Sequence, residues 1–329
     1  MDADELKRRY AAGERDFSGA NLIGANLERA NLVGINLSGA YLSAANLSRA
    51  FLTGANLSGA FLNRADLSFA KVSESLLTEA DLTKAKLRGA TLIKCVLVGA
   101  KMSGATLTAV NLRLSNLSGV NLCGADLRGI NLRSANLMDA NLSWANLSGA
   151  RLSGALLRGA SLNGVQLIGA YLNGVDLNAV DLDGVNLSDT KLSGANLSGA
   201  NLTAANLSSA QMRVTLLARS NLHAANLSNA CLAKADLCEA NLSKADLSEA
   251  NLNAADLTGA NLNMASLRNA DLSGASLRDA YLWGANLHVT SLRGADMRGA
   301  SLRGAYLQST EWQEAIMTGA TMPDGSVHE

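Results

Sequence analysis

Apolar residues recur every five positions along almost the whole chain. The series starts at Phe17, Leu22 and Leu27 and continues in unbroken steps of five to Trp312, Met317 and Met322. With about 62 such pentads and no insertion, the chain reads as one internal repeat array. We call the apolar residue the centre. Two positions before it lies an inner slot that is mostly alanine, and one position before it an outer slot that is mostly Asn or Asp. In an extended segment alternate residues share a side, so centre and inner slot form the interior and the outer slot faces water. The two residues after the centre turn a corner before the next short strand.

Glycine describes that corner. Of 30 glycines, all but Gly13 and Gly325 occupy the second corner position. A type II turn requires positive φ at its third residue, which glycine adopts without penalty. The run from Gly149 to Gly174 is expected to turn this way. Between Ala204 and Ala254 no second-corner residue is glycine, and Arg219, Lys234 and Glu239 predict a different corner there. Corners of about a right angle close a coil every four pentads, and successive coils pair as parallel strands. The predicted fold is an all-β solenoid: a quadrilateral parallel β-helix of about 15–16 coils, wound right-handed as parallel crossovers favour.

The unit Ala55-Asn56-Leu57-Ser58-Gly59 resembles the A-[ND]-L-x-x motif of the pentapeptide repeat family. The resemblance covers most of the chain and extends to the ends, which are similar to those of cyanobacterial members. It implies a right-handed quadrilateral β-helix. It also implies a possible role for some members as DNA mimics that bind DNA gyrase and related type II topoisomerases. Those members are acidic and dimerise through C-terminal helices, neither of which this sequence suggests.

Three segments follow from the pattern. Residues 1–16 form a capping helix and lead-in: Asp2 or Asp4 caps it, Leu6 and Tyr10 share a face, and Gly13 stops it. Residues 17–322 form the β-helix, and 323–329 a tail in which Pro323 ends strand pairing and Asp324-Gly325 turns the chain away. Enlarged inner-slot residues, Val110, Ser115, Val120 and Ile130 and then Val165, Val175, Val180, Val185 and Thr190, predict locally repacked interior.

Charge changes the picture little at this level. The 28 basic and 28 acidic residues balance, which excludes a globally basic nucleic-acid binder. No apolar run reaches the roughly 18 residues of a membrane span. The start of the chain is acidic and shows no secretory segment, so the expected location is cytoplasmic. Cys95, Cys123, Cys231 and Cys238 lack metal-ligand spacing and read as reduced thiols.

An evenly filled solenoid offers no concavity in which polar groups converge, so neither catalysis nor a cofactor or metal is expected. His223, His288 and His328 are widely separated, and the outer-slot Asn and Asp read as a solvated surface. Large aliphatic residues occupy the outer slot at Leu76, Val96, Leu156, Leu216 and Ile316, all separated by multiples of 20 and hence in one register. They form a candidate interaction face for a partner protein, another copy or a membrane-associated protein. A second candidate is the aromatic and basic set Arg278, Tyr281, Trp283, Arg298 and Arg303, where arginine beside tryptophan can gain cation–π energy. Tyr41 and Phe61 are expected to stack as a cross-strand pair. These features predict a non-catalytic scaffold for protein–protein interaction, with topoisomerase modulation as the alternative.

Overall fold

A computed structural model describes all 329 residues. Its one helix, α1 (Ala3–Ala11), begins where the Asp2 side chain accepts the Glu5 N–H at 2.8 Å. Such a cap contributes about 1 kcal/mol. Asp4 and Glu5 in the first turn and Arg8 and Arg9 in the last complement the helix dipole. Leu6 is fully buried, and the Tyr10 hydroxyl donates to the Val33 carbonyl at 2.8 Å. The chain leaves through Gly13 at φ 101°, a conformation only glycine takes without strain.

Beyond α1, outer-slot residues 20 positions apart within each unit are joined by parallel bridges, as in Asn36↔Asn56↔Leu76. Four pentads therefore complete one coil. The chain divides into two compact units, Met1–Gln166 and Leu167–Glu329. Bridges in the first run from Asp16↔Asn36 to Asn146↔Gln166, and in the second from Tyr171↔Lys191 to Ser301↔Thr321. The pentad register passes residue 166 without insertion.

One pentad shows where the backbone hydrogen bonds go. Ala55 N–H closes the preceding turn on Leu52 O at 2.9 Å, and Asn56 N–H reaches back one coil to Ile35 O at 2.9 Å. Leu57 and Gly59 donate forward to Leu76 O and Thr78 O at 2.7 and 2.8 Å. The fifth donor, Ser58 N–H, has no backbone partner and is taken by Asn56 Oδ1 at 3.1 Å. All five donors are thus satisfied, as a close-packed coil demands. The same Asx bond recurs at Asp66, Asn116 and Asp246. This corrects the reading of the outer slot as a merely solvated surface: its Asn and Asp complete the turn.

The interior is closed. Centre leucines and inner-slot alanines are almost everywhere inaccessible to solvent. Among the enlarged inner slots Val110, Val120 and Ile130 are fully buried and Val165, Val175 and Val185 nearly so, whereas Val180 is half-buried. Inner-slot hydroxyls donate to backbone carbonyls, one coil away for Ser115 to Leu92 O at 2.6 Å and Thr290 to Leu267 O at 2.7 Å, and within their own turn for Thr190 and Ser220. No buried side-chain polar atom lacks a partner.

The corner expected to differ between Ala204 and Ala254 does not. Val214, Arg219 and Lys234 take φ 57–59°, in the same left-handed region as glycines such as Gly194 at 69°. Their turns close through the same bond, Ser220 N–H to Leu217 O at 3.1 Å. The cross-coil ladder dictates the corner, and the side chain accepts the strain. The tail also departs from expectation. It folds back, with an antiparallel bridge Thr321↔Val327 and a bond from His328 N–H to Ala320 O at 2.9 Å. Pro323 occupies the first corner position, whose N–H has no backbone partner in the pentad, so proline removes no ladder bond there.

Candidate interaction surfaces

Within each unit the predicted aliphatic residues occupy outer slots. In the first unit Leu76 and Val96 bridge one another directly, whereas Leu156 follows the polar Asn116 and Asn136 of the same column. In the second, Leu216 sits between Asn196 and Asp236, and Ile316 bridges Asp296. Leu76, Leu156, Leu216 and Ile316 are 45%, 54%, 43% and 46% exposed, while Val96 is half-buried. An aliphatic outer residue cannot make the Asx bond, so the N–H groups of Thr78, Arg158 and Ala218 gain no side-chain partner. These side chains therefore expose apolar area and forgo a hydrogen bond.

The aromatic and basic set is arranged differently from the expected cation–π pairing. Arg298 donates to both oxygens of Asp296, at 2.9 and 2.5 Å, and Arg278 lies 3.8 Å from the same carboxylate. Arg298 first, and Arg278 to a lesser extent, hold the Asp296 carboxyl below its ordinary range. The Arg303 guanidinium lies over Gly325, not over the Trp283 ring. Trp283 and Tyr281 stay exposed, with Trp283 N–H held by Asn263 Oδ1 at 2.8 Å. Aromatic contacts form in the first unit: Tyr41 and Phe61 stack at 5.1 Å and 7° as predicted, Lys71 lies 5.7 Å from the Phe51 ring centre, and Arg49 lies 6.0 Å from that of Phe69.

A shallow cavity of about 250 Å³ is lined by Arg268, Asn286, His288, Tyr306 and Gln308, none of them a carboxylate. His288 Nδ1 lies 3.1 Å from Gln308 O. No group of three or more His, Cys, Asp and Glu side chains is placed to hold a metal ion. All four cysteines are free. Burial pushes the Cys95 thiol up to about 11. Burial, then contact with Asp236 and Asp256, pushes Cys238 up to about 12. No helix is long and apolar enough to cross a membrane.

Parallel bridges at a spacing of 20, four pentads per coil, recurrent Asx-closed turns and a leucine–alanine interior define a pentapeptide-repeat solenoid. Family comparison agrees: the family described as Pentapeptide repeats (8 copies) matches residues 16–54, 35–73, 75–113, 115–154, 150–189, 181–217, 220–259, 239–274, 250–288 and 270–308. The chain belongs to this family. Among solved structures it is similar to HetL, a pentapeptide repeat protein involved in heterocyst differentiation regulation from the cyanobacterium Nostoc sp. strain PCC 7120. The identity is 31% over 100% of both chains, with a TM-score of 0.22. Similarity to Rfr23 from the cyanobacterium Cyanothece 51142 is 24% identity over 50% of this chain and 98% of that one, TM-score 0.22. QnrB1, a plasmid-mediated fluoroquinolone resistance protein, is 20% identical in a trypsin-treated form over 55% and 87% of the two chains, TM-score 0.30. No functionally curated protein matches the chain.

Proposed function

We propose that the chain is a non-catalytic protein-interaction scaffold whose contacts are made by the aliphatic outer-slot residues. The reading takes the coils as right-handed, as the handedness of parallel crossovers favours, and α1 as the cap of the first coil, supported by the buried Leu6 and the Tyr10 bond to Val33. The observation that carries it is the double cost at Leu76, Leu156, Leu216 and Ile316: each exposes apolar surface where Asn or Asp would close the turn. Many of the other outer slots hold Asn or Asp side chains committed to that structural bond, and the interior is filled.

Charging these positions tests the reading. Leu76→Asp with Leu156→Asp supplies an Asx acceptor in place of each leucine, so the variant is expected to fold. A partner captured by the wild-type chain from host extract should be lost by the variant. Capture and self-association identical in both proteins would refute the role of this column. A gyrase supercoiling assay separates the topoisomerase alternative, and the scaffold reading expects no effect.

A further inference from the structure

The balanced charge of the whole chain conceals a strongly cationic strip on the first unit. The strip follows the outer-slot column Asn31, Phe51, Lys71, Thr91, Asn111, Asn131 and Arg151, joined by consecutive bridges, together with the corners on either side. One corner carries Arg29, Arg49, Arg88 and Arg128; the other carries Lys94, Arg113 and Arg133. Only Glu28 and Glu74 oppose these charges within the strip. Arg29 is paired to Glu28 and Arg128 to Asp126 of the adjoining column. Arg88, Lys94, Arg113 and Arg133 are exposed and have no carboxylate within ion-pair distance, nor have Arg49, Lys71 and Arg151.

The arrangement works against the stability of the isolated chain. Leu114 N–H bonds to Arg133 O and Lys94 N–H to Arg113 O, both at 3.1 Å, so three cations stand on successive coils of one corner. Like charges on directly paired strands repel. Asn111 and Asn131 hold the Arg113 and Arg133 backbones through their Asx bonds at 3.3 Å, which keeps the two side chains in register. Arginine predominates over lysine, as in surfaces that read phosphate. Phe51 and Phe69 lie within the same strip at 42% and 50% exposure, each beside a cation.

We propose that this strip binds single-stranded nucleic acid, the two basic corners tracking phosphates and Phe51 and Phe69 stacking bases. A cationic track interrupted by exposed aromatic rings is the arrangement that sequence-tolerant single-strand binders use. An acidic protein would satisfy the arginines but would leave the two rings without a role. The strip is a different face from the aliphatic column, so either assignment can fail alone.

The test is fluorescence anisotropy of the full chain with a labelled oligothymidylate of about twenty nucleotides, a duplex of equal length, and polyglutamate as competitor. Single-strand binding should weaken with salt, with a log–log slope of about −3 if about four phosphates are contacted. Arg113→Glu with Arg133→Glu should lower affinity about tenfold or more, while Arg213→Glu with Lys234→Glu in the second unit leaves it unchanged. Phe51→Ala with Phe69→Ala should weaken single-strand binding about fivefold or more without affecting the duplex. Absence of binding at about 50 mM salt overturns the proposal, as does indifference to the Arg113 and Arg133 reversals. Tighter binding to duplex, or equal displacement by polyglutamate, overturns the single-strand assignment.

Discussion

The two units are each built from the same pentad, the same corner and the same kind of leucine–alanine interior, yet their surfaces differ in sign. Met1–Gln166 carries 18 basic and 12 acidic residues, a net charge of +6; Leu167–Glu329 carries 10 and 16, a net charge of −6. The register positions that make the cationic strip in the first unit hold Lys191, Arg213, Lys234, Arg268 and Arg293 in the second, against Asp189, Glu249, Asp271, Glu311 and Glu314. The fold constrains inner slot and centre tightly and the corners hardly at all, so the corners are where the units diverge. A sum over the whole chain erases that divergence, because +6 and −6 cancel.

The largest expected contrast is in thiol chemistry. Both Cys95 in the first unit and Cys238 in the second are raised by burial, but only Cys238 also faces two carboxylates. A raised pKa leaves the thiol protonated over the physiological range. At pH 8 a thiol at about 12 is ionised in only about one molecule in ten thousand, and its alkylation should quicken about tenfold per pH unit above that. Mass spectrometry after iodoacetamide at pH 8 should find Cys95 and Cys238 unmodified. Asp236→Asn with Asp256→Asn should lower the pH at which Cys238 reacts and leave Cys95 unchanged.

Next in size is the shared interior. Leu52→Ala in the first unit and Leu247→Ala in the second should each cost about 2–5 kcal/mol by chemical denaturation, because both side chains are fully buried. Costs that differ severalfold would mean that the two interiors are not equivalent.

Corner strain comes third. Val214 and Val289 in the second unit hold β-branched side chains at φ 57° and 58°. Val214→Gly should stabilise by about 1 kcal/mol, and Gly119→Val in the first unit should destabilise by at least as much, read as opposite shifts in Tm. The smallest effect tests the Asx bond. Leu76→Asn and Leu216→Asn should each add about 0.5–1 kcal/mol through a new acceptor for Thr78 and Ala218 N–H. A loss of stability in either variant would show that packing of the leucine outweighs the bond.

Much of the architecture was legible in the sequence because a five-residue period admits one register. Centre leucines, inner alanines and the four-pentad coil follow from which side of a short strand each residue must face, and α1 from the Asp2 cap and the stop at Gly13. The column shared by Leu76, Val96 and Leu156 was legible for the same reason. The cationic strip could have been found by sorting charges at a spacing of 20 instead of summing them.

What the linear pattern could not supply was the partner of each backbone donor and the direction of each long side chain. Asn56 reads as a solvent-facing amide until the Ser58 N–H is seen to have no other acceptor. Lys234 reads as the mark of a new corner until its N–H is seen bonded to Asn253 O at 2.9 Å with φ held at 59°. Arg303 stands one coil beyond Trp283 in register but its guanidinium lies over Gly325, and Arg298 on the preceding corner pairs with Asp296, a carboxylate attracting a guanidinium more strongly than an exposed ring does. Local pattern dictated which side of each strand faces inward, because that depends on periodicity, although the in-register Trp312 remains 39% exposed. Corner conformation and surface pairing were left to the cross-coil ladder and to neighbours 20 residues away, which a local reading does not bring together.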